Sequence, residues 1–324
     1  MAEVIIEKLE NFTISKEDKP KAEFSEIGIV GCGSTGQKLA IMIASRGMEV
    51  ICLDLSQEIL DKAFKEIEEE LNNKVRRWGI TESEKKAILS RIHGTLNYAD
   101  FSNCDLVIES ILSSKREEAK DIRKVVFKKI EEHVSPRTII ATNSTTIAIT
   151  ELAAALKHKN RCISMHISTT SPDASLVEVV RSMYTSEDIC REVRKFAILL
   201  GKEFVRVAES PGLITVRLFA PMINEACDIL LERVADMEKI DLAARKSLNI
   251  ALGPFELADK IGIDRVVRWL DNMYEEFGDL RYKASPILRR LQRANHLGRK
   301  TLIGFYEYDK YGKKLRPAIE TIFN

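Results

Sequence analysis

Hydrophobic positions in the first two thirds of the chain fall into short runs separated by longer stretches of mixed character. Runs such as "EIGIVG", "MEVICLD" and "CDLVIES" have the length and content of buried strands. Between them, "STGQKLAIMIASRG" and "SQEILDKAFKEIEEELNNKVRRWG" show the three-to-four-residue spacing of amphipathic helices. Strands that alternate with helices in this way predict a parallel sheet covered by helices.

The pattern changes near residue 208. After the strand-like run "EFVRVA", apolar residues recur at helical spacing and strand signals become rare. We therefore expect a polar N-terminal extension over 1–24, an α/β domain with a parallel sheet over 25–208, and an all-α C-terminal domain over 209–324. The stretch "GLITVRLFAPMINEACDILLERVADM" is apolar around most of its circumference. Such a helix must be covered within a bundle or at a subunit interface.

Composition narrows the class of protein. The 324 residues, 45% of them hydrophobic, suffice for two domains. Lys and Arg number 50 against 49 Asp and Glu, so no overall charge favours nucleic acid as a partner. The chain shows neither an apolar run long enough for a membrane span nor a secretory signal. Six scattered cysteines indicate free thiols in a reducing cytoplasm, and no metal site is expected.

A glycine-rich loop is the first candidate for chemistry. "IGIVGCGSTGQKLA" has GxGxxG spacing between a strand and a helix, where glycines permit a tight turn, approach to a pyrophosphate and close packing. Asp54 ends the next strand, where a carboxylate can accept hydrogen bonds from ribose hydroxyls and would repel a 2′-phosphate. The pattern predicts NAD as cofactor. The predicted contacts are Gly31, Cys32, Gly33, Ser34, Thr35, Gly36 and Asp54.

Seven stretches resemble the 3-hydroxyacyl-CoA dehydrogenase family and occur in the family's order. They are "GCGSTG", "DLVIES", "ATNSTT", "MHI" with "SLVEVV", "SPGLITVRLFAPMINEA", "LGPFELADKIGID" and "LGRKTLIGFYEYD". The resemblance implies an NAD-binding Rossmann domain, a helical C-terminal domain and a homodimer. It also implies hydride transfer between NAD and a 3-hydroxyacyl-CoA substrate, with cofactor contacts at Glu109, Asn143 and Lys300.

The family's catalytic pair falls on His166 and Glu178. In this chemistry a neutral imidazole takes the hydroxyl proton while hydride leaves the same carbon, and a carboxylate orients the ring. Taken without the resemblance, a lone histidine at a strand end is more often structural. Thr145 stands at a position where the family usually has a serine, and the threonine keeps the hydroxyl donor.

Two substrate positions depart from the family, which has asparagines where this chain has Thr169 and Val216. Polar groups there would help to polarise the developing carbonyl. The changes indicate another substrate, a shifted loop, lost activity or neutral repacking. A segment that follows Glu109 is also several residues longer than in the family, and the family's second acid falls near Ser113. The insertion either reshapes the nicotinamide side of the site or only lengthens a helix.

The long helix after the second strand holds CoA in the family, through a serine and a lysine. Here the lysine position falls on Arg77, whose charge suits a CoA phosphate, and the serine position falls on Glu70, an acid. A helix face of mixed charge is also what solvent exposure alone would produce. Three functions therefore stay open. They are an NAD-dependent 3-hydroxyacyl-CoA dehydrogenase, an NAD dehydrogenase for a small non-CoA hydroxy acid, and an NAD-binding protein with weak activity.

Overall fold

The computed structural model describes residues 24–111, 116–168 and 175–318. The extension up to residue 23, Ser113 and Thr169 lie outside these ranges. The strands are β1 (Glu26–Val30), β2 (Glu49–Leu53), β3 (Ile92–Thr95), β4 (Leu106–Glu109), β5 (Ile139–Thr142), β6 (Cys162–Ile167), β7 (Leu176–Arg181), β8 (Glu203–Val207), β9 (Tyr306–Tyr308) and β10 (Lys314–Pro317). The helices are α1 (Ser34–Ala44), α2 (Gln57–Arg76), α3 (Glu82–Leu89), α4 (Arg116–His133), α5 (Ile149–Ala153), α6 (Glu187–Leu199), α7 (Thr215–Leu231), α8 (Met237–Ser247), α9 (Pro254–Ile261), α10 (Ile263–Phe277) and α11 (Pro286–Arg293).

Eight strands form one sheet in the order β3-β2-β1-β4-β5-β6-β7-β8. The predicted parallel sheet is confirmed for β1 to β6, and their order reverses between β1 and β4 as in a Rossmann domain. In such a sheet the loops beyond the carboxyl ends of β1 and β4 diverge and leave a crevice for a ligand. The fold therefore places the candidate residues along one edge of the sheet.

The last two strands of the sheet run against the others. β7 is antiparallel to β6, and β8 is parallel to β7. The number of residues between β6 and β7 is too small for the crossover that a parallel neighbour requires, in keeping with their antiparallel pairing. This reversal was not part of the predicted sheet. It has a consequence for the site, because it sets the end of β6 against the start of β7.

Both faces of the sheet are covered by apolar side chains. Ile27 and Ile29 of β1 belong to the core under α1, α2 and α6, whereas Val30 belongs to the core under α4 and α5. This alternation follows from the two-residue period of a strand. The domain therefore has three layers, helix, sheet and helix, with both cores closed to water.

The C-terminal domain is helical, but the expectation that it is all-α was too strict. β9 and β10 form an antiparallel hairpin whose aromatic residues enter the helical core. The buried carboxylate of Asp259 on α9 accepts hydrogen bonds from the amides of Phe305 and Tyr306, each at 2.9 Å, and from the Tyr308 hydroxyl at 3.0 Å. Strands of three and four residues give too short a pattern for prediction from sequence.

Several hydrogen bonds join the two domains across the sheet edge. The Gly212 amide donates to the Thr145 carbonyl at 2.7 Å, the Asn272 side chain to the Thr146 hydroxyl at 2.7 Å, and Arg265 to the Thr35 hydroxyl at 3.2 Å. The boundary proposed at residues 208–209 lies between the end of β8 and the start of α7. The helical domain therefore sits over the loops that carry the candidate residues. Within the described ranges, no helix is long and apolar enough to cross a bilayer.

Candidate active site

The three glycines of the loop differ in the space around them. Gly31 has a φ of +100°, which an L side chain rarely adopts. A Cβ at Gly36 would lie 2.0 Å from the Gly31 carbonyl oxygen, so only glycine lets α1 start this close to β1. At Gly33 nothing lies within 4 Å of the Cβ position. This open side is where the backbone could meet a ligand.

The start of α1 has the features of a phosphate site. Gly33 provides no side-chain cap, the first turn carries no acid, and Ser34 is exposed. Uncapped amides and the positive end of the helix dipole attract an anion. Asp54 accepts the Cys32 amide at 2.7 Å and the Leu55 amide at 2.8 Å, which fixes its carboxylate beside the loop. These residues fit a dinucleotide with a free 2′-hydroxyl.

His166 and Glu178 face each other across the antiparallel pair of strands. The two residues are direct partners in the register of β6 and β7. Nδ1 of His166 lies 3.5 Å from Oε2 of Glu178, and it forms no hydrogen bond to any described residue. The separation is longer than a good N–H···O bond, and such contacts often shorten when substrate binds. The reversal at residues 168–175 therefore brings the two together.

Glu178 also holds the start of the helical domain. Its Oε1 accepts the amides of Ile214 and Thr215, at 2.7 and 3.1 Å. These are free amides at the N-terminus of α7, where the helix dipole stabilises a negative charge. Only 2% of the Glu178 side chain is exposed. One carboxylate thus faces the histidine and holds the N-terminus of α7, which carries Val216.

Burial controls the charge of His166. It lowers the pKa of the imidazole to about 4, with the nearby Glu178 carboxylate opposing the shift and the Arg265 guanidinium adding to it. The ring is therefore neutral at physiological pH. A neutral imidazole can accept a proton, as a general base must. Both partners being nearly inaccessible, proton exchange with bulk water is also restricted at this position.

The loop after β5 brings further predicted residues to the same edge. The Asn143 side chain accepts the Ile167 amide at 2.9 Å, which ties this loop to the residue after His166. Thr145 is buried and its carbonyl holds Gly212. A small pocket lies on one side of Thr145 and is lined also by Ser164 and Pro211. Asn143 thus contacts the residue that follows His166, and Thr145 lies two residues further along the same loop.

Two of the predicted contacts do not face open space. Glu109 is fully buried, and its carboxylate accepts Arg123 at 3.0 Å, the Thr142 hydroxyl at 2.6 Å and the Ile111 amide at 2.7 Å. This network gives it a structural role at the end of β4. Val216 is also fully buried, within the core of the helical domain, so its side chain does not line the cleft.

Two further predicted residues lie at the rim. Nζ of Lys300 pairs with Asp264 at 2.6 Å, next to the start of α10. Arg77 ends α2, is exposed, and donates to the Tyr311 carbonyl at 3.5 Å. Glu70 pairs with Lys74 at 3.7 Å, so the acid at the family's serine position is partly compensated. The contacts of Lys300 with the cofactor and of Arg77 with substrate stay predictions.

Sequence reasoning missed the polar face of α10. Arg265, Arg268 and Asn272 follow the i, i+3, i+7 spacing of one helix face. Arg265 and Asn272 bond to Thr35 and Thr146 of the first domain. The signal was present in "IDRVVRWLDNMYEEF" as polar residues that recur among apolar ones. It could not show that this face meets another domain.

Both halves of the chain match models of one family. The model "3-hydroxyacyl-CoA dehydrogenase, NAD binding domain" matches residues 26–210, and "3-hydroxyacyl-CoA dehydrogenase, C-terminal domain" matches residues 212–308. The 3-hydroxybutyryl-CoA dehydrogenase of Clostridioides difficile is 37% identical over 285 residues, which are 88% of this chain and 100% of that protein.

Solved structures agree with the sequence matches. The crystal structure of M. tuberculosis FadB2 superimposes with a TM-score of 0.83 at 30% identity, over 88% of this chain and 99% of that one. The (S)-3-hydroxybutyryl-CoA dehydrogenase PaaH1 from Ralstonia eutropha gives a TM-score of 0.77 at 34% identity, over 89% of this chain and 100% of that one. The chain therefore belongs to the 3-hydroxyacyl-CoA dehydrogenase family.

Proposed function

We propose that this protein interconverts a (S)-3-hydroxyacyl-CoA and the 3-ketoacyl-CoA with NAD, and that 3-hydroxybutyryl-CoA is a substrate. The observation that carries the proposal is the cross-strand placement of His166 and Glu178 at the edge of an NAD-binding sheet. The relatives named 3-hydroxybutyryl-CoA dehydrogenase support the substrate class. When hydride leaves C3 of the substrate, a base must accept the proton of the C3 hydroxyl, and His166 is placed to be that base.

The proton follows a defined route in this proposal. Bound NAD supplies the acceptor for the hydride that leaves C3 of the substrate. The C3 hydroxyl proton passes to the neutral imidazole of His166, and the remaining electron pair forms the ketone. Glu178 takes the Nδ1–H contact and stabilises the imidazolium, which leaves Nε2 for the substrate. In the reverse direction the imidazolium returns its proton to the ketone oxygen.

Thr145 supplies the hydroxyl that we assign as hydrogen-bond donor in this step. It lies on the loop that Asn143 ties to the end of β6, the strand that carries His166. A hydroxyl here can donate to the substrate's C3 oxygen, where charge develops. Valine carries no side-chain donor, and the Val216 side chain lies in the core, so this position offers the substrate no side-chain hydrogen bond. Donors from the 145–146 loop and from backbone groups are then the ones that remain within the described chain.

The CoA portion has a cationic rim available. Lys74 and Arg77 lie in the last turns of α2, and Arg77 reaches the hairpin of the helical domain. Ammonium and guanidinium groups bind phosphates through charge-assisted hydrogen bonds. This placement supports CoA over a small free acid, because a free acid would have no group to reach the end of α2.

A homodimer is also part of the proposal, formed through the helical domain. Large apolar side chains are exposed on α7 and α8 and beyond them, and an exposed apolar surface of this kind favours association. The residues are Leu218, Val234, Leu242, Leu248 and Leu280. A cytoplasmic location is supported by the six free, buried cysteines, which would be paired more often in an oxidising compartment.

The direct test is NADH formation with purified protein. We expect turnover of (S)-3-hydroxybutyryl-CoA with NAD, much slower turnover with NADP, and no turnover of free 3-hydroxybutyrate. Equal rates with the free acid would move the assignment to a non-CoA hydroxy-acid dehydrogenase. Binding of NAD without turnover of either substrate would leave the weakly active binding protein as the function.

A further inference from the structure

One face of α10 spans the cleft between the domains. Arg265 donates to Thr35 at the start of α1 at 3.2 Å, and Asn272 donates to Thr146 at 2.7 Å. Arg268 lies between them on the same helix face. It therefore lies above the sheet edge, between the glycine loop and the loop that carries Thr145. His166 is close enough to Arg265 for the arginine's charge to lower the pKa of the imidazole.

Around Arg265 and Arg268, positively charged groups outnumber negatively charged ones. Burial lowers the pKa of Arg265 and of Arg268, and the charges of Arg265 and Arg123 lower that of Arg268 further. Asp264 opposes both shifts, but it already pairs with Lys300 at 2.6 Å. Like charges held together away from water are costly unless an anion compensates them.

Arg268 differs from its neighbours in having no fixed partner. Arg123 donates to Glu109 at 3.0 Å and to the Ile111 carbonyl at 2.7 Å, and Arg265 donates to Thr35. No residue of the described ranges forms a hydrogen bond or ion pair with Arg268, whose side chain is half-buried. A guanidinium has five donors in a planar fork, which suits a carboxylate or a phosphate.

We propose that Arg268, supported by Arg265, forms an anion subsite in the cleft between the domains. This inference rests on the proposed function for the identity of its ligands. The chemistry it fits is an oxyanion, supplied by a carboxylate on the acyl chain, by a CoA phosphate or by the cofactor pyrophosphate. Arg265 already faces the phosphate helix, whereas Arg268 lies one turn nearer to Thr146. An acyl chain that ends in a carboxylate is the source that this position favours.

The test measures binding of unreactive acyl-CoAs to the NAD-saturated protein by calorimetry. Glutaryl-CoA and valeryl-CoA have acyl chains of equal length and differ by the terminal carboxylate. We expect the wild type to bind glutaryl-CoA roughly 10-fold to 100-fold more tightly, as a hydrogen-bonded charge pair would give. Arg268→Met should remove this preference and Arg268→Lys should keep part of it. Arg290→Met, at an exposed arginine of α11, is the matched control.

Each source leaves its own pattern in the Arg268→Met protein. Loss of the preference with an unchanged NAD affinity identifies the acyl carboxylate. Equal weakening of both acyl-CoAs identifies a CoA phosphate, and weaker NAD binding alone identifies the pyrophosphate. If none of the three affinities changes in Arg268→Met or Arg265→Met, and both variants keep the wild-type melting temperature, there is no anion subsite here.

The outcome is independent of turnover. Should the wild type fail to oxidise 3-hydroxybutyryl-CoA, the proposed function fails, yet the binding preference still reports on the subsite. Should it oxidise 3-hydroxybutyryl-CoA while Arg268→Met leaves all three affinities unchanged, only the subsite is refuted. Turnover of the corresponding 3-hydroxy substrates then adds a second readout. A carboxylate held by Arg268 should appear mainly in KM, because this contact is made equally in the bound substrate and in the transition state.

Discussion

The cofactor loop and the catalytic cleft differ in how much of the chain they need. Residues 31–36 and Asp54 lie within one strand–helix–strand unit, and inside that unit Asp54 accepts the Cys32 amide and Gly36 packs on the Gly31 carbonyl. The cleft instead takes His166 and Glu178 from two antiparallel strands, amides from α7, and arginines from α10. A local unit can be recognised by spacing alone. A cleft between domains depends on packing that spacing does not describe.

The two regions also differ in how a substitution affects them. In the loop, a substitution acts through the space next to one backbone atom. In the cleft, Glu178 carries both a chemical and an architectural duty, so removing it disturbs His166 and the anchoring of α7 together. Variants that separate binding, chemistry and stability therefore test whether the two regions really behave differently.

The largest effect is expected for His166→Ala. Turnover of 3-hydroxybutyryl-CoA should fall by roughly 10²-fold or more, in the range of general acid–base catalysis. NAD affinity should stay near the wild-type value, because the loop does not depend on the histidine. His93→Ala is the control, since His93 is exposed and contacts only Glu49 among the residues described. Turnover at the wild-type rate in His166→Ala would remove the histidine from the mechanism.

Gly33→Ala and Gly36→Ala form a matched pair within the loop. A methyl group at Gly36 would meet the Gly31 carbonyl, so we expect both lower stability, by about 1 to 3 kcal/mol, and weaker NAD binding. A methyl group at Gly33 has free space, so the melting temperature should hold while NAD binding weakens by roughly tenfold. Thermal unfolding and NAD titration check both variants. An unchanged NAD affinity in Gly33→Ala would show that the pyrophosphate does not approach there.

How far the sequence predicts each region follows from these contacts. The glycine loop and Asp54 could be predicted because a turn, a close approach and a strand end each leave a residue signature. His166 and Glu178 were found through their spacing, but not the antiparallel register that pairs them. Glu109 and Val216 were assigned to ligands and are buried, because a sequence motif does not say which way a side chain points. The spacing of Arg265, Arg268 and Asn272 was visible in the sequence, but that this face of α10 meets the first domain was not.

Glu178 provides a chemical test that is separable from its anchoring role. Glu178→Ala leaves two amides of α7 without an acceptor, which should lower the free energy of unfolding by about 1 to 3 kcal/mol. Glu178→Gln keeps a carbonyl acceptor and should lose less stability, yet it cannot stabilise an imidazolium. Chemical denaturation and turnover, measured on both variants, separate the roles. Wild-type turnover in Glu178→Gln would leave only the anchoring role.

Val216→Asn tests whether this position still belongs to the substrate site. The valine side chain is fully buried among apolar neighbours, so an amide there would lack partners and cost about 1 to 3 kcal/mol of stability. We expect no gain in turnover of 3-hydroxybutyryl-CoA. Faster turnover with unchanged stability would mean that this part of α7 opens to the cleft when substrate binds.

The smallest effect concerns the pH dependence of stability. The pKa of His166 is about 4 in the fold, below its ordinary value of 6.5, so the unfolded chain binds more protons between these values. Stability is therefore full above pH 6.5 and falls as the pH drops from 6.5 towards 4. From pH 7 to pH 6 the loss from this residue should be about 0.7 kcal/mol. Chemical denaturation of the wild type and of His166→Gln at both pH values isolates the loss that is due to His166, because glutamine does not titrate. Equal losses in the two proteins would mean that the imidazole is not desolvated, and that the cleft is as open to water as the glycine loop.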